Sequence, residues 1–275
     1  MLVENISILL FWLAVIAYAV GFGFYASHFI SRKQITGTLA TIATFCGGLI
    51  QAGSLFLRFL ASKEFLGASA YESLVIVAWL VIVGYLAIEY FSKIKTLGMF
   101  VTPFACIFSI KAWSYYHPPG PRIEILQGSF IDAHFMSMFV ASAAFTIAAG
   151  AAFLYLLQEW HFKSKKSNPI LGRLPSLHVL DDIEHKSVVV GVLFLTTTLI
   201  TGAIRAYQVW GTFFDAIVIS TFLSWVIYAF YLMARITAGW VGRRSAILAL
   251  VGFLFIMSIR FVIVPYMSFL HGFKG

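Results

Sequence analysis

Long apolar stretches alternate with short polar connections along the whole chain. A helix that crosses the hydrocarbon core of a membrane needs about 20 mostly apolar residues. The stretches that meet this requirement are 5–29, 36–58, 70–92, 96–115, 131–158, 187–206, 215–236 and 246–269. The pattern therefore predicts an all-α fold, a polytopic transmembrane helical bundle of about eight spans. The first stretch is too long, and lacks the basic start, for a removable signal peptide.

Composition supports the same fold class. The chain is 61% hydrophobic and only 11% charged, which lies outside the range of soluble domains. The connections are short, so we expect one transmembrane domain over residues 1–275 and no soluble domain. The net charge of +8 does not predict nucleic-acid binding, because no basic surface with interleaved aromatic residues accompanies it.

The basic residues predict the orientation of the bundle. One set of loops holds twelve of them: Arg32, Lys33, Lys93, Lys95, Lys163, Lys165, Lys166, Arg173, Lys186, Arg235, Arg243 and Arg244. The opposite set holds six: Arg58, Lys63, Lys111, Arg122, Arg205 and Lys274. Since cytoplasmic loops carry the excess of Lys and Arg, the first set is predicted to be cytoplasmic. Both termini then lie outside, and we expect an integral protein of a bacterial inner membrane.

Two histidines are predicted to lie on the outer side, at the ends of apolar helices. His134 opens the fifth span and His271 follows the eighth. Each one alone is explained as an interfacial histidine, half apolar and half hydrated. Together they suit the axial ligation of haem iron, and ionisable groups at membrane depth are candidates for function. The sequence thus predicts a non-covalent haem b site with His134 and His271 on the iron.

An aromatic and acidic turn is predicted on the same side, between the sixth and seventh spans. Its residues Trp210, Phe213 and Phe214 would supply a floor for a porphyrin, and Asp215 ends the turn. We therefore include these four residues in the predicted cofactor site.

Arg58 and Arg205 lie in the outer halves of their spans, where a charge needs a partner or a hydrated cavity. One interpretation pairs them with a carboxylate such as Glu72, Asp132 or Asp215. The other pairs them with haem propionates, for which a guanidinium is geometrically suited. Arg58, Arg205 and Glu72 belong to the predicted cofactor site under the second interpretation.

The sequence contains no catalytic acid, base or nucleophile motif. Cys46 and Cys106 fall inside predicted spans, so buried thiols are expected. No Cys-x-x-Cys-His is present, so the chain does not hold a haem covalently. Whether the protein is an enzyme stays open.

A set of short segments extends from about residue 55 to the C-terminus. They are Arg58, Tyr71–Leu74, His134, Leu154–Glu159, Leu174–Leu177, Leu180–Asp181, Tyr228–Arg235, Gly239–Trp240, Gly242–Arg244 and His271. Together these segments resemble the CcsA/ResC/HemX family of cytochrome c assembly membrane proteins, whose best-known members serve the System II haem pathway. By this resemblance the protein is at most part of a haem lyase system.

The resemblance implies haem handling and haem transport in cytochrome c biogenesis. Haem would be held at the outer face for delivery to apocytochrome c. A CcsB/ResB-type membrane subunit is the partner that the family implies.

Two departures from the family pattern support an alternative. The turn from Trp210 to Asp215 is about two residues shorter than the family's tryptophan-rich segment and lacks its Pro-Lys-Glu. Met233 stands where haem-transporting members have a membrane-embedded histidine. A methionine can itself ligate iron, but one that fills a gap in the core is the simpler interpretation. The alternative is a HemX-type regulator or scaffold of haem biosynthesis without enzymatic activity. A haem- or quinone-binding subunit of a respiratory complex is a more distant one.

Overall fold

The computed structural model describes residues 2–62, 66–67, 69–120, 128–164, 171–212, 216–259 and 261. Within these ranges the chain forms eight α-helices and a 3-10 turn at Leu171–Arg173. The helices are α1 (Leu2–Ser31), α2 (Gln34–Ser62), α3 (Ala70–Ser92), α4 (Gly98–Trp113), α5 (Ser129–Lys163), α6 (Leu177–Trp210), α7 (Ala216–Ala238) and α8 (Arg243–Ser258).

The prediction of an all-α membrane bundle is confirmed. Helices α1, α2, α3, α5, α6 and α7 are long and apolar enough to cross a membrane. Helix α4 has 16 residues, as has the described α8. A helix of that length rises about 24 Å, less than the hydrocarbon thickness of about 30 Å. Six of the eight predicted spans therefore meet the requirement by length and composition within the described residues.

The described helices group into two compact units. The first, called unit 1, comprises α1 to α4 and the segment from Leu171 to Pro175; unit 2 comprises α5 to α8. The single domain over 1–275 and the outer location of both termini stay predictions.

In unit 1 the first two helices pack along their length through small residues and paired hydroxyls. The Ser7 hydroxyl donates to the Ser54 carbonyl at 3.0 Å, and the Ser54 hydroxyl donates to the Ser7 carbonyl at 2.7 Å. A Cβ at Gly47 would lie 2.8 Å from the Tyr18 ring, so glycine is what allows this close approach. Small residues and interhelical hydrogen bonds are the usual means by which membrane helices associate.

A buried carboxylate joins α1, α2 and α3. Glu89 is 5% exposed and accepts hydrogen bonds from the hydroxyls of Tyr25, Tyr85 and Thr41, the two tyrosines at 2.6 Å. The Lys95 ammonium lies 3.7 Å from the same carboxylate. A buried charge is tolerated only where it is paired and hydrogen-bonded, so these donors are what keep Glu89 inside the unit.

Unit 2 packs around α5, whose middle part is rich in buried alanine. Phe145 of α5 stacks on Tyr228 of α7 with the ring centroids 3.9 Å apart. A Cβ at Gly191 of α6 would lie 2.5 Å from the Phe145 ring. The absence of a side chain at Gly191 therefore brings α6 against this aromatic pair.

An ion pair joins α6 and α7 of unit 2, near the start of α6 and the end of α7. Arg235 of α7 donates to both carboxylate oxygens of Asp181 of α6, at 3.0 and 2.5 Å. Asp181 also accepts from the backbone N–H of Gly242, which precedes α8. The bidentate geometry adds directional as well as electrostatic stabilisation, so three helix ends are fixed by one carboxylate.

We expect Glu89→Gln to lower the free energy of unfolding by about 3 kcal/mol, because the change leaves the partly buried Lys95 ammonium and the buried hydroxyl donors without their carboxylate. Thermal or denaturant unfolding in mild detergent measures the change.

The matched control is Asp182→Asn, which removes a surface carboxylate paired with Lys186 one turn away. That change should cost less than about 0.5 kcal/mol. Equal stabilities of the two variants would contradict the structural role assigned to Glu89.

Candidate functional site

Four of the nine residues of the predicted cofactor site have described side chains. His134 and Arg205 belong to unit 2, whereas Arg58 and Glu72 belong to unit 1. The others lie outside the described residues: His271, Phe213, Phe214, Asp215 and the side chain of Trp210.

His134 lies in the second turn of α5, one turn after Ser129 and Phe130, and its side chain is half-buried. Its Nδ1 atom is 3.0 Å from Oγ1 of Thr201 on α6. The two residues are 67 positions apart in sequence, so this contact depends on the packing of α5 against α6.

The bonds of the Thr201 hydroxyl favour one of the two tautomers of His134. Thr201 Oγ1 donates to the carbonyl of Thr197 on its own helix at 2.7 Å. With its hydrogen directed there, Thr201 Oγ1 accepts from His134 Nδ1–H. The neutral imidazole then has its lone pair on Nε2. A histidine that ligates a metal typically donates its other ring N–H in this way, which fixes both tautomer and orientation.

Neighbouring contacts hold the ring in place. One turn further along, the hydroxyls of Ser137 and Thr198 lie 2.9 Å apart across the same helix pair. A Cβ at Gly202 would lie 2.8 Å from Cε1 of His134, so only glycine leaves room for the imidazole in this orientation. These contacts, on successive turns of the two helices, fix the position of the His134 imidazole against α6.

Arg205 follows Thr201 by four residues and thus lies one turn further along the same face of α6. The structure therefore places a cation one helical turn beyond the residue that holds His134. An anionic group near His134 would lie within reach of the same helix face.

Arg58 and Glu72 form a buried ion pair in unit 1. Arg58 is 4% exposed, and its Nε atom donates to Oε1 of Glu72 at 2.9 Å. Its Nη2 atom donates to the carbonyl of His117 at 3.0 Å, and the N–H of Gly67 donates to Oε2 of Glu72. Of the two interpretations of Arg58, pairing with a carboxylate is the one that the geometry supports.

Aromatic rings complete the surroundings of Arg58. Its guanidinium lies 4.6 Å from the centroid of Tyr71 and 5.7 Å from that of Tyr116. Burial and then the Glu4 carboxylate, to which the Tyr116 hydroxyl donates at 2.9 Å, raise the pKa of Tyr116. Tyr116 therefore stays neutral and joins the beginning of α1 to the end of α4.

The described residues can be compared with what a small metal ion and a porphyrin iron each require. They include no group of three or more His, Cys, Asp or Glu side chains that could hold a metal. A haem needs only one protein nitrogen on each side of the iron, because the porphyrin supplies the other four ligands. His134, with Nε2 as the basic atom, fits that requirement for one side.

Thr201 and Gly202, which hold His134 in place, are not among the residues predicted from the sequence. A signal was present, because His134 and Ser137 are spaced by three on one apolar helix, and Thr198 and Thr201 by three on the next. Matching polar pairs at helical spacing indicate two helices that face each other. The expectation for Met233 was wrong: its side chain is 56% exposed on α7 and does not fill the core.

Comparisons with known proteins identify a family for this chain. Residues 67–271 match the family described as Cytochrome C assembly protein. The cytochrome c biogenesis protein CcsA of Chlorella vulgaris is 26% identical, over 91% of this chain and 89% of its own length. That of Microcystis aeruginosa is 27% identical over 91% and 90%. That of Chlamydomonas reinhardtii is 30% identical over 73% of this chain and 58% of its own length.

The family match extends over most of the chain, from before α3 to beyond the described part of α8, and includes the helix pair that holds His134. The relatives that cover nine-tenths of the chain are cytochrome c biogenesis proteins by name. The chain therefore belongs to the cytochrome c assembly protein family.

Proposed function

We propose that this protein binds haem b non-covalently at the outer membrane face, through His134 and His271, and holds it for delivery to apocytochrome c. The observation that carries the proposal is the 3.0 Å contact between His134 Nδ1 and the Thr201 hydroxyl. In the tautomer that donates from Nδ1, which the bond from Thr201 to Thr197 favours, Nε2 is the basic atom of a half-buried imidazole. The family to which the chain belongs supplies the biological context, cytochrome c assembly.

Bound haem would supply an iron that protein nitrogens can ligate and two negatively charged propionates. The residues of this chain would bind and orient it. His134 and His271 would hold the iron, His134 with its ring oriented by Thr201. Arg205, one turn beyond Thr201, is the cation that we assign to a propionate. Trp210, Phe213 and Phe214 are proposed to cover the ring faces, with Asp215 at their edge.

Delivery would require partners, because the sequence contains no catalytic acid or base motif that would form the thioether bonds between haem and apocytochrome c. Apocytochrome c would supply the thiols, and a CcsB/ResB-type membrane subunit is proposed to bring the haem. The excess of basic residues on the opposite loops supports an outer location for His134, in a bacterial inner membrane. The contribution of this chain to any lyase reaction would then be proximity and orientation.

One observation favours a second candidate function, a HemX-type regulator or scaffold of haem biosynthesis. The exposed Met233 presents a thioether on α7 where haem-transporting members of the family have a histidine. A chain without this histidine would keep the fold but would lack a ligand for haem inside the bilayer. Such a chain would suit a regulator or scaffold better than a haem transporter.

We expect the wild-type protein, purified in mild detergent and supplied with haem, to show the visible spectrum of a low-spin haem with two histidine ligands. His134→Ala and His271→Ala should each shift or remove the Soret band, because each removes one axial nitrogen. Oxidised and reduced spectra measure this.

The matched control is His178→Ala, which removes an exposed histidine near the start of α6. Unchanged Soret bands in both the His134 and His271 variants would show that the site is assigned wrongly. A colourless wild type that does not take up added haem would favour the regulator.

Thr201→Val should weaken haem binding by about 10- to 100-fold, because it removes the acceptor that fixes the His134 tautomer while it keeps the side-chain volume. Thr201→Ser should retain most of the affinity, since it keeps the hydroxyl. Haem titration followed at the Soret band gives the dissociation constants.

The control for this pair is Thr197→Val, one turn away on α6, where the exposed hydroxyl donates only within its own helix. Equal affinities of the Val variants at positions 201 and 197 would contradict the role given to the Thr201 hydroxyl.

The two arginines should differ in what they control. Arg58→Gln leaves Glu72 buried without its cation, so we expect the free energy of unfolding to fall by about 3–5 kcal/mol. Arg205→Gln should weaken haem binding about tenfold, as expected for a charged hydrogen bond. Unfolding in detergent and haem titration are measured on both variants, and the opposite pattern would assign Arg58 to the propionates.

A further inference from the structure

Unit 1 contains a cavity of about 1030 Å³ at the end of the bundle where α1 meets α2 and α3 meets α4. The segment that follows the 3-10 turn closes one side of it, through Leu174 and Pro175. The cavity is separate from the ion pair of Arg58 and Glu72, whose residues do not line it. None of the residues of the proposed haem site contributes to its walls.

The mouth of the cavity is strongly cationic. Four basic side chains line it, namely Arg32, Lys93, Lys95 and Arg173, against the single carboxylate of Glu89, which gives a net charge of +3. All four belong to the loops that the basic-residue count assigns to the cytoplasm. Positive charge concentrated in a concave site raises the local concentration of anions.

Lys95 and Glu89 compensate each other, whereas the remaining cations are compensated only by neutral acceptors. Arg173 donates to the carbonyls of Phe29 and Ile30 at the end of α1, and Arg32 donates to the Arg173 carbonyl at 2.9 Å. Lys93 lies over the Tyr90 ring at 4.5 Å. Among the described residues none of these three cations has an ion pair with a carboxylate.

The other walls of the cavity are apolar and extend along the helices. Ile42 and Phe45 of α2 and Leu86 and Tyr90 of α3 line it. Phe45 lies eleven residues into α2, which is about 16 Å from its first residue. Ile42, Phe45 and Tyr90 are more than half exposed, so the cavity is open along the side of the helices as well as at their ends. In a membrane helix such exposed apolar side chains face lipid chains.

We propose that this cavity binds an anionic phospholipid, with the phosphate among Arg32, Lys93 and Arg173 and an acyl chain along Ile42 and Phe45. Basic pockets between membrane helices on the cytoplasmic side are suited to acidic head groups. A soluble anion would use the cationic mouth but gain nothing from the apolar wall that continues along α2. The inference is independent of the proposed haem site and needs no haem for its test.

The charge-removing variant can be chosen so that the backbone is not strained. Arg32 and Lys93 both adopt the left-handed conformation, with φ of 59°, at the ends of α1 and α3. Asparagine tolerates this conformation better than most residues. Arg32→Asn with Lys93→Asn therefore removes two charges at positions where the new residue suits the backbone. Arg32→Lys with Lys93→Arg keeps both charges.

Retained lipid is counted by native mass spectrometry after reconstitution in phosphatidylcholine bilayers with added phosphatidylglycerol. The wild type and the charge-keeping variant should retain one phosphatidylglycerol and gain thermal stability from it. The Asn variant should bind it about thirtyfold more weakly, from two lost charges. Lys163→Gln with Lys186→Gln is the control for net charge alone, since both lysines are exposed and lie in unit 2.

Two results would overturn the proposal. Equal lipid retention by the Asn variant and the wild type would show that the cavity is not the site. An equal rise in melting temperature with inorganic phosphate in pure phosphatidylcholine would identify a soluble-anion site instead of a lipid site. The melting temperature in pure phosphatidylcholine verifies folding, and Lys93→Asn alone replaces the double variant should that one not fold.

Discussion

Charged and polar groups buried among apolar helices are the constraint on which this structure depends. No water reaches the hydrocarbon region, so a charged group buried there is stabilised by partners within the protein. Glu89 has three hydroxyl donors and a lysine, and Arg58 has Glu72 and a backbone carbonyl. Near the helix ends, the partly buried Asp181 has Arg235 and a backbone N–H. Apolar surface alone would let the helices slide and rotate. The polar partners fix their register.

The same constraint operates at the candidate haem site, where it gives a chemical result. The Thr201 hydroxyl satisfies a carbonyl of its own helix and still accepts from His134. An imidazole held in this way is both oriented and fixed in one tautomer before any ligand arrives. Pre-organised ligands bind with a smaller loss of conformational entropy. The same contact with Thr201 therefore gives the His134 ring a hydrogen-bond partner and orients it for metal ligation.

The cavity in unit 1 shows the reverse situation. Its cations Arg32, Lys93 and Arg173 interact with carbonyls and an aromatic ring but with no carboxylate among the described residues. Their charge is therefore available to a ligand, whereas the charge of Arg58 is already used inside the protein. This contrast separates arginines that stabilise the fold from cations that can bind a negatively charged molecule.

The sequence by itself determined the membrane helices, the charge asymmetry of the loops and the family, since transfer of apolar residues into lipid depends on local composition. It also identified Arg58 as a residue in need of a partner, Glu72 as one candidate for that partner, and His134 as a candidate haem ligand. Only the tertiary structure decided which partners they have. Thr201 is 67 residues from His134, and hydropathy alone does not give the rotation of a helix about its own axis. The short α4, the exposure of Met233 and the cavity beside Lys93 likewise arise from how helices pack, which distant residues decide together.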